Sequence, residues 1–220
     1  MMSLFRTLPV CLVVSVVTGC ATAPSDYNYS VFREADPHSI LVVPPINNAV
    51  EVDAQAFYLA TISRPVGERG YYVFPIGMVK GLLEEEGLAD ANLVHEGDPR
   101  ILAEMFGADA VLYVTIQQWD AKYIVFATSV TVQIDYVLRD GRTGEELWST
   151  SNTKVYSSNS GWGGGIAGLI ADAIVAAVEK ASPRYVPLAR QANYDATTKA
   201  HQGVPAGKYH PKYGKDGELY

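Results

Sequence analysis

"VTVQIDYVLRDGRTGEELWS", Val130 to Ser149, sets the architecture of this chain. Val130, Val132, Ile134, Tyr136 and Leu138 alternate with Thr131, Gln133 and Asp135, and a period of two sends the first set to one face of a β-strand and the second to the other. One face belongs to the core and one to water. "RDGRTGEE" then supplies Asp140, Gly141 and Gly144 for a hairpin, after which Glu146 to Val155 returns antiparallel.

Working outward, "ADAVLYVTIQQW" reads as the strand before this hairpin, and the helix ahead of it, Asp98 to Phe106, opens on "DPR" with Asp98 as cap and closes at Gly107. Further back, "ILVVPP", Ile40 to Pro45, is an aliphatic run closed by prolines, the pattern of a strand buried on both faces and paired in parallel. "YYVFP", Tyr71 to Pro75, repeats that form. Between the two, Ala56, Leu59, Ala60 and Ile62 recur at helical spacing after Asp53 until "SRPVGERG" breaks the chain, which makes a β-α-β unit whose crossover is right-handed by rule. A further helix is predicted over Ile76 to Glu86, with Met78, Val79, Leu82 and Leu83 inward and Gly87 as its stop. The predicted class is α/β, of the α+β kind: a mixed sheet of about five strands, with a parallel β-α-β start and an antiparallel meander, packed by three to four helices.

The amino terminus addresses the chain. "MMSLFRTLPVCLVVSVVTGC" has Arg6 as its one charge, then an apolar run from Leu8 to Val17 that is too short to cross a bilayer and is followed by small residues. This is a secretory signal peptide. Val17-Thr18-Gly19-Cys20 resembles the lipobox of bacterial lipoproteins, in which the cysteine is acylated and becomes the new amino terminus. A disulfide-bonded Cys20 has little to recommend it, because the other cysteine, Cys11, lies in the segment to be removed. Ala21 is not the Asp that the lipoprotein sorting rule associates with inner-membrane retention, which favours the outer membrane. The boundaries follow: residues 1–19 a signal peptide, 20–38 a lipidated tether, 39–182 the folded domain, and 183–220 an irregular carboxy-terminal tail.

With 17 Lys and Arg against 24 Asp and Glu, the net charge is -7, so no basic surface is available to neutralise a nucleic-acid backbone. The stretch "GWGGGIAGLIADAIVAAVEKA", Gly161 to Ala181, carries Gly163, Gly165 and Gly168 at the spacing of a dinucleotide-binding turn. A strand directly before the turn and an acid at the end of a following parallel strand are missing, since Glu179 is still inside the helix. Ile166, Leu169, Ile170, Ala173, Ile174, Ala177 and Val178 instead form one apolar face for packing on the sheet. A membrane-inserting helix is a third reading, opposed by Asp172 and by the short apolar length. No cofactor is expected.

A search for catalytic or metal constellations is negative at the level of motifs. His38, His95, His201 and His210 are scattered through expected loops and the tail, and "HEGDP" has Pro99 where a zinc helix needs its second histidine. Ser157, Ser158 and Ser160 lack an oriented base, and Glu84 to Glu86 read as a solvated helix end. Aromatic residues stand out instead: Trp119, Tyr123 and Phe126 surround the link between two strands, and Trp162 sits among the glycines. Clusters of this kind suit interfaces, the competing reading being that they cap the core.

The order helix, "GADAVLYVTI", alternating strand, "LRDGRTGEELWS", glycine-rich turn and apolar helix resembles the amino-terminal domain of TolB and the periplasmic domain of CsgG-type secretion lipoproteins. The lipobox, "ILVVPP", "YYVFP" and the tail "VPLARQANY…GVPAGKYHPKYGKD" together are similar to a family of bacterial outer-membrane lipoproteins with a meningococcal vaccine-candidate member. That resemblance spans nearly all of the mature chain and brings no catalytic residues with it. It implies a noncatalytic lipoprotein on the periplasmic side of the outer membrane, serving envelope assembly, transport or secretion. Its expected partners are the membrane through lipid on Cys20, further copies of itself in a homodimer or small homo-oligomer, and a CsgG-like or other envelope lipoprotein. The alternative is a periplasmic envelope hydrolase with a site assembled from distant residues.

Overall fold

The computed structural model describes residues 27–124, 127–157 and 185–220. Its strands are β1 Ser39–Val42, β2 Ile46–Asn47, β3 Tyr72–Val73, β4 Ala110–Ile124, β5 Ala127–Asp140 and β6 Glu146–Ser157. Its helices are α1 Ser30–Ala35, α2 Ala54–Glu68, α3 Ile76–Glu85, α4 Ala91–Glu96, α5 Pro99–Phe106 and α6 Tyr185–Thr198. The sheet runs β3-β1-β4-β5-β6, with the two-residue β2 also on β4. β1 is parallel to β3 and β4, whereas β4, β5 and β6 form an antiparallel meander. The mixed sheet expected from the sequence is the one observed. It has six strands rather than about five, because two residues of β2 leave no periodic trace, and six described helices rather than three or four.

β1 shows why a continuous aliphatic run marks a central parallel strand. Ile40 and Val42 join the cluster under α2 and α6, while Leu41 and Val43 join the one under α3, α4 and α5. All four are buried, each contributing about 1.5–3 kcal/mol through the apolar surface it removes from water. In β5 the alternation holds from Ser129 to Asp140: Val130, Val132, Ile134, Tyr136 and Leu138 are buried and the residues between them are half-exposed. The hairpin closes where expected, with the Asp140 carboxylate accepting from Arg142 N at 2.7 Å and Thr143 N at 2.8 Å.

Helix ends follow their capping chemistry. Asp98 accepts from Arg100 N at 2.9 Å to open α5, and Gly107, at φ 68°, takes the left-handed conformation that closes it. α2 runs past its expected stop to Glu68 with Pro65 inside. Proline forfeits one intrahelical bond there, but Ile62, Pro65 and Val66 are all buried, and that packing carries the helix through. In α3, Val79 and Leu83 face inward as expected, but Met78 is 73% exposed: the buried stripe is one residue wide per turn.

Two segments expected to be irregular are ordered. Residues 27–38, assigned to the tether, contain α1, and Tyr29 and Phe32, three positions apart in a polar context, are buried together. The Tyr29 hydroxyl donates to Gly203 O at 2.7 Å, and the Phe32 ring meets Tyr71 edge-on at 6.3 Å. Tyr27 N reaches His201 O at 3.4 Å. The tail assigned to 183–220 contains α6 and then wraps its own domain: Gly207 N donates to Arg69 O at 2.8 Å and Tyr209 N to Gly70 O at 3.1 Å. A Cβ on Gly70 would come within 2.3 Å of His210 N, so only glycine lets the tail lie this close.

Candidate functional site

The two faces of the sheet are covered unequally among the described residues. α2 and α6 lie over one face, whereas on the other α3, α4 and α5 shelter β1 and the start of β4 and stop short of β6. At the step where that cover ends, α4, α5, β4, β5 and the Thr143–Gly144 turn enclose a cleft of about 560 Å³.

β5 contributes Asp135, Val137 and Arg139, the wet set of its alternation, and the register sets Thr115 opposite Asp135 and Tyr113 opposite Val137. Asp135 and Arg139 stand four residues apart on one strand, about 13 Å between Cα atoms at ~3.3 Å per residue. Among the described residues neither enters an ion pair: Asp135 accepts from Gln117 Nε2 at 2.7 Å, and Arg139 Nη1 donates to Gly144 O at 3.2 Å. At the rim, by contrast, Arg100 is matched to Asp98 by two Nε contacts of 3.0 Å and an Nη2 contact of 2.5 Å. That hydrogen bonding lowers the Asp98 pKa and raises that of Arg100.

The wall between these charges is aromatic. His95, in the last turn of α4, meets the Tyr113 ring edge-on at 5.1 Å and donates from Nε2 to Pro44 O at 3.0 Å. Burial lowers its pKa, against the opposing pull of that hydrogen bond, so the ring is neutral at pH 7 and Nδ1 is left as an acceptor. Tyr113 is 7% exposed, and its hydroxyl is buried with no hydrogen-bond partner among the described residues. Burial pushes the phenol up to about 12, while the nearby Arg139 charge pulls it down and Asp98 adds to the rise. Among the described residues the cleft thus holds one cation and one carboxylate outside any ion pair, with a phenol O–H that lacks an acceptor between them.

Sequence reasoning saw part of this. Asp135 falls on the wet face that the alternation defines, but Tyr113 and Arg139 draw no attention, and His95 is read as a loop residue. The residues singled out for contact lie elsewhere. Trp119 is a correction: it is 1% exposed, stacked on Phe57 at 5.8 Å and edge-on to Tyr185 at 6.1 Å, inside the core. A β-bulge between Ile116 and Gln118 explains it, because the extra residue returns Trp119 to the buried face that simple alternation from Ile116 would deny it. Tyr123 falls on β4, where the backbone alone is described. Phe126, Trp162, the glycines at 163, 165 and 168, and Cys20 lie outside the described residues. No described helix is long and apolar enough to cross a membrane.

The model of a protein family described as "Putative lipoprotein GNA1162-like" matches residues 27–212, a span that includes every residue of the cleft. A lipoprotein of Neisseria meningitidis serogroup B, also described as putative, is 33% identical over 183 residues, covering 83% of this chain and 85% of its own. The crystal structure of the lipoprotein GNA1162 from Neisseria meningitidis matches with a TM-score of 0.54 at 36% identity, over 66% of this chain and 99% of that one.

Proposed function

This chain belongs to the GNA1162-like lipoprotein family, and on that footing we propose that it is a noncatalytic lipoprotein held at the outer membrane by acyl chains on Cys20. In this reading residues 1–19 are removed, the body faces the periplasm, and the protein serves envelope assembly, transport or secretion by associating with itself or with another envelope protein. The observation that carries it is the family match taken together with Val17-Thr18-Gly19-Cys20: the lipoprotein family model matches from residue 27, a few positions beyond a cysteine in a lipobox context. Two or three chains would make the attachment effectively permanent, at about 0.8 kcal/mol per buried methylene.

The cleft supports a binding role over a chemical one. A general base works best with a pKa near the operating pH. His95 is displaced downward and committed through Nε2, and the Tyr113 phenol is pushed up to about 12. Association is supported by β6, which among the described residues pairs only with β5 and leaves its outer edge open. The test is metabolic labelling with palmitate in cells. The wild type takes up label and sediments with outer membrane, and Cys20→Ser does neither; equal labelling of both removes the reading.

A further inference from the structure

We propose that the cleft between α5 and the β4–β5 pair binds a small zwitterion of the short-peptide class, its carboxylate held by Arg139 and Tyr113 and its ammonium by Asp135. This goes beyond the anchoring reading and does not depend on it.

Three observations meet here. The first is the Tyr113 hydroxyl, buried at the cleft wall and without an acceptor among the described residues; the Tyr58 hydroxyl shares that lack but lines no part of the cleft, and Tyr29, Tyr71 and Tyr136 each donate to a named oxygen. A buried donor left unsatisfied is costly, and at a cleft wall the economical explanation is a ligand acceptor. The second is charge. Arg100 is answered by Asp98, which leaves Arg139 and Asp135 as the cation and anion that no ion pair uses among the described residues. A phosphate dianion would face Asp98 and Asp135, and a bare cation would face Arg139; a ligand with one charge of each sign is repelled by neither. Arg139 lies close enough to Tyr113 for its charge to act on the phenol, so a carboxylate between them receives a guanidinium and an O–H together.

The third observation is size. About 560 Å³ lies within the range of small-ligand sites. The two charges spring from positions about 13 Å apart along β5, and a di- or tripeptide, at up to about 3.5 Å per residue, is of a length to lie along that interval.

The test uses the full-length lipoprotein in detergent and three probes: trialanine, N-acetyl-trialanine and trialanine amide. Calorimetry should show trialanine binding with a Kd at or below the millimolar range, and either blocked form at least about tenfold weaker. Arg139→Gln should abolish the preference for the free carboxylate while keeping that for the free amine, and Asp135→Asn should do the reverse. Tyr113→Phe should weaken trialanine several-fold without lowering the urea midpoint. The blocked peptides keep the proposal exposed to refutation even if a variant misfolds. No binding by the wild type at about 10 mM, or equal binding of all three probes, overturns it.

Discussion

At Asn193 three elements meet through one side chain. Fully buried on α6, it accepts from the Tyr136 hydroxyl of β5 at 2.6 Å and donates from Nδ2 to Thr61 Oγ1 of α2 at 2.9 Å. Thr61 in turn donates to Phe57 O at 2.9 Å or Tyr58 O at 3.0 Å, so the polar chain ends on backbone. Such a network fixes how α2 and α6 sit on the sheet only while every member is satisfied. Asn193→Leu keeps the branching of the side chain and strands the Tyr136 hydroxyl, and it should cost about 2 kcal/mol, read as a lower urea midpoint with an unchanged slope. Tyr136→Phe added to it should return part of the loss, because the stranded group is gone. A loss too small to resolve in the single variant would show that the network contributes nothing. None of this is legible in the sequence, where Asn193 is one more polar residue in a segment without pattern.

The elements that the sequence reveals are those whose faces differ most in polarity. β5 is recognised because Val, Ile and Leu alternate with Thr, Gln and Asp, and α5 because Asp98, Pro99 and Gly107 are specific to helix ends. α6 is missed although its buried positions, Leu188, Ala189, Ala192, Asn193, Ala196 and Thr197, keep strict helical spacing. Most are small or polar, chosen for close approach to α2 and not for bulk, and a hydrophobicity pattern does not register them. The segment after α6 is likewise held by polar contacts. Asp216, 5% exposed, accepts from Ala206 N at 2.6 Å and pairs with Arg69 Nη2 at 3.4 Å, while Arg69 Nε donates to Val204 O at 2.8 Å and its guanidinium lies 4.7 Å from the centre of the Tyr220 ring. Removing one partner of a buried pair leaves the other charge uncompensated, so Asp216→Ala should cost about 3 kcal/mol. Thermal unfolding measures the loss, and limited proteolysis should cut first between residues 204 and 220; a resistant, undiminished variant would make this segment a passive cover. The candidate site was half legible for the same reason: polarity places Asp135 on the wet face, but the step in helical cover that makes a cleft beside it is a property of packing.

For the whole molecule, the outer edge of β6, unpaired among the described residues, leads to an expectation about assembly. It is a twelve-residue strand with Val155 64% exposed, and a long unpaired edge is a template for another chain. Light scattering across a dilution series should show the body lacking residues 1–20 as a homodimer or small homo-oligomer, and Val155→Lys should shift it toward monomer. A monomeric mass at high micromolar concentration would transfer the edge to a different partner. One further consequence comes from α1 and the tyrosines before it, which fasten the chain to the body from Tyr27 onward. Between Cys20 and Tyr27 the chain can extend no more than about 25 Å, well under the ~40 Å breadth expected of a domain this size. With the anchor proposed on Cys20, the corner where Tyr27, His201 and Leu219 converge would stay within that distance of the membrane. The encounters of a body so held would be confined to molecules that come to the membrane surface.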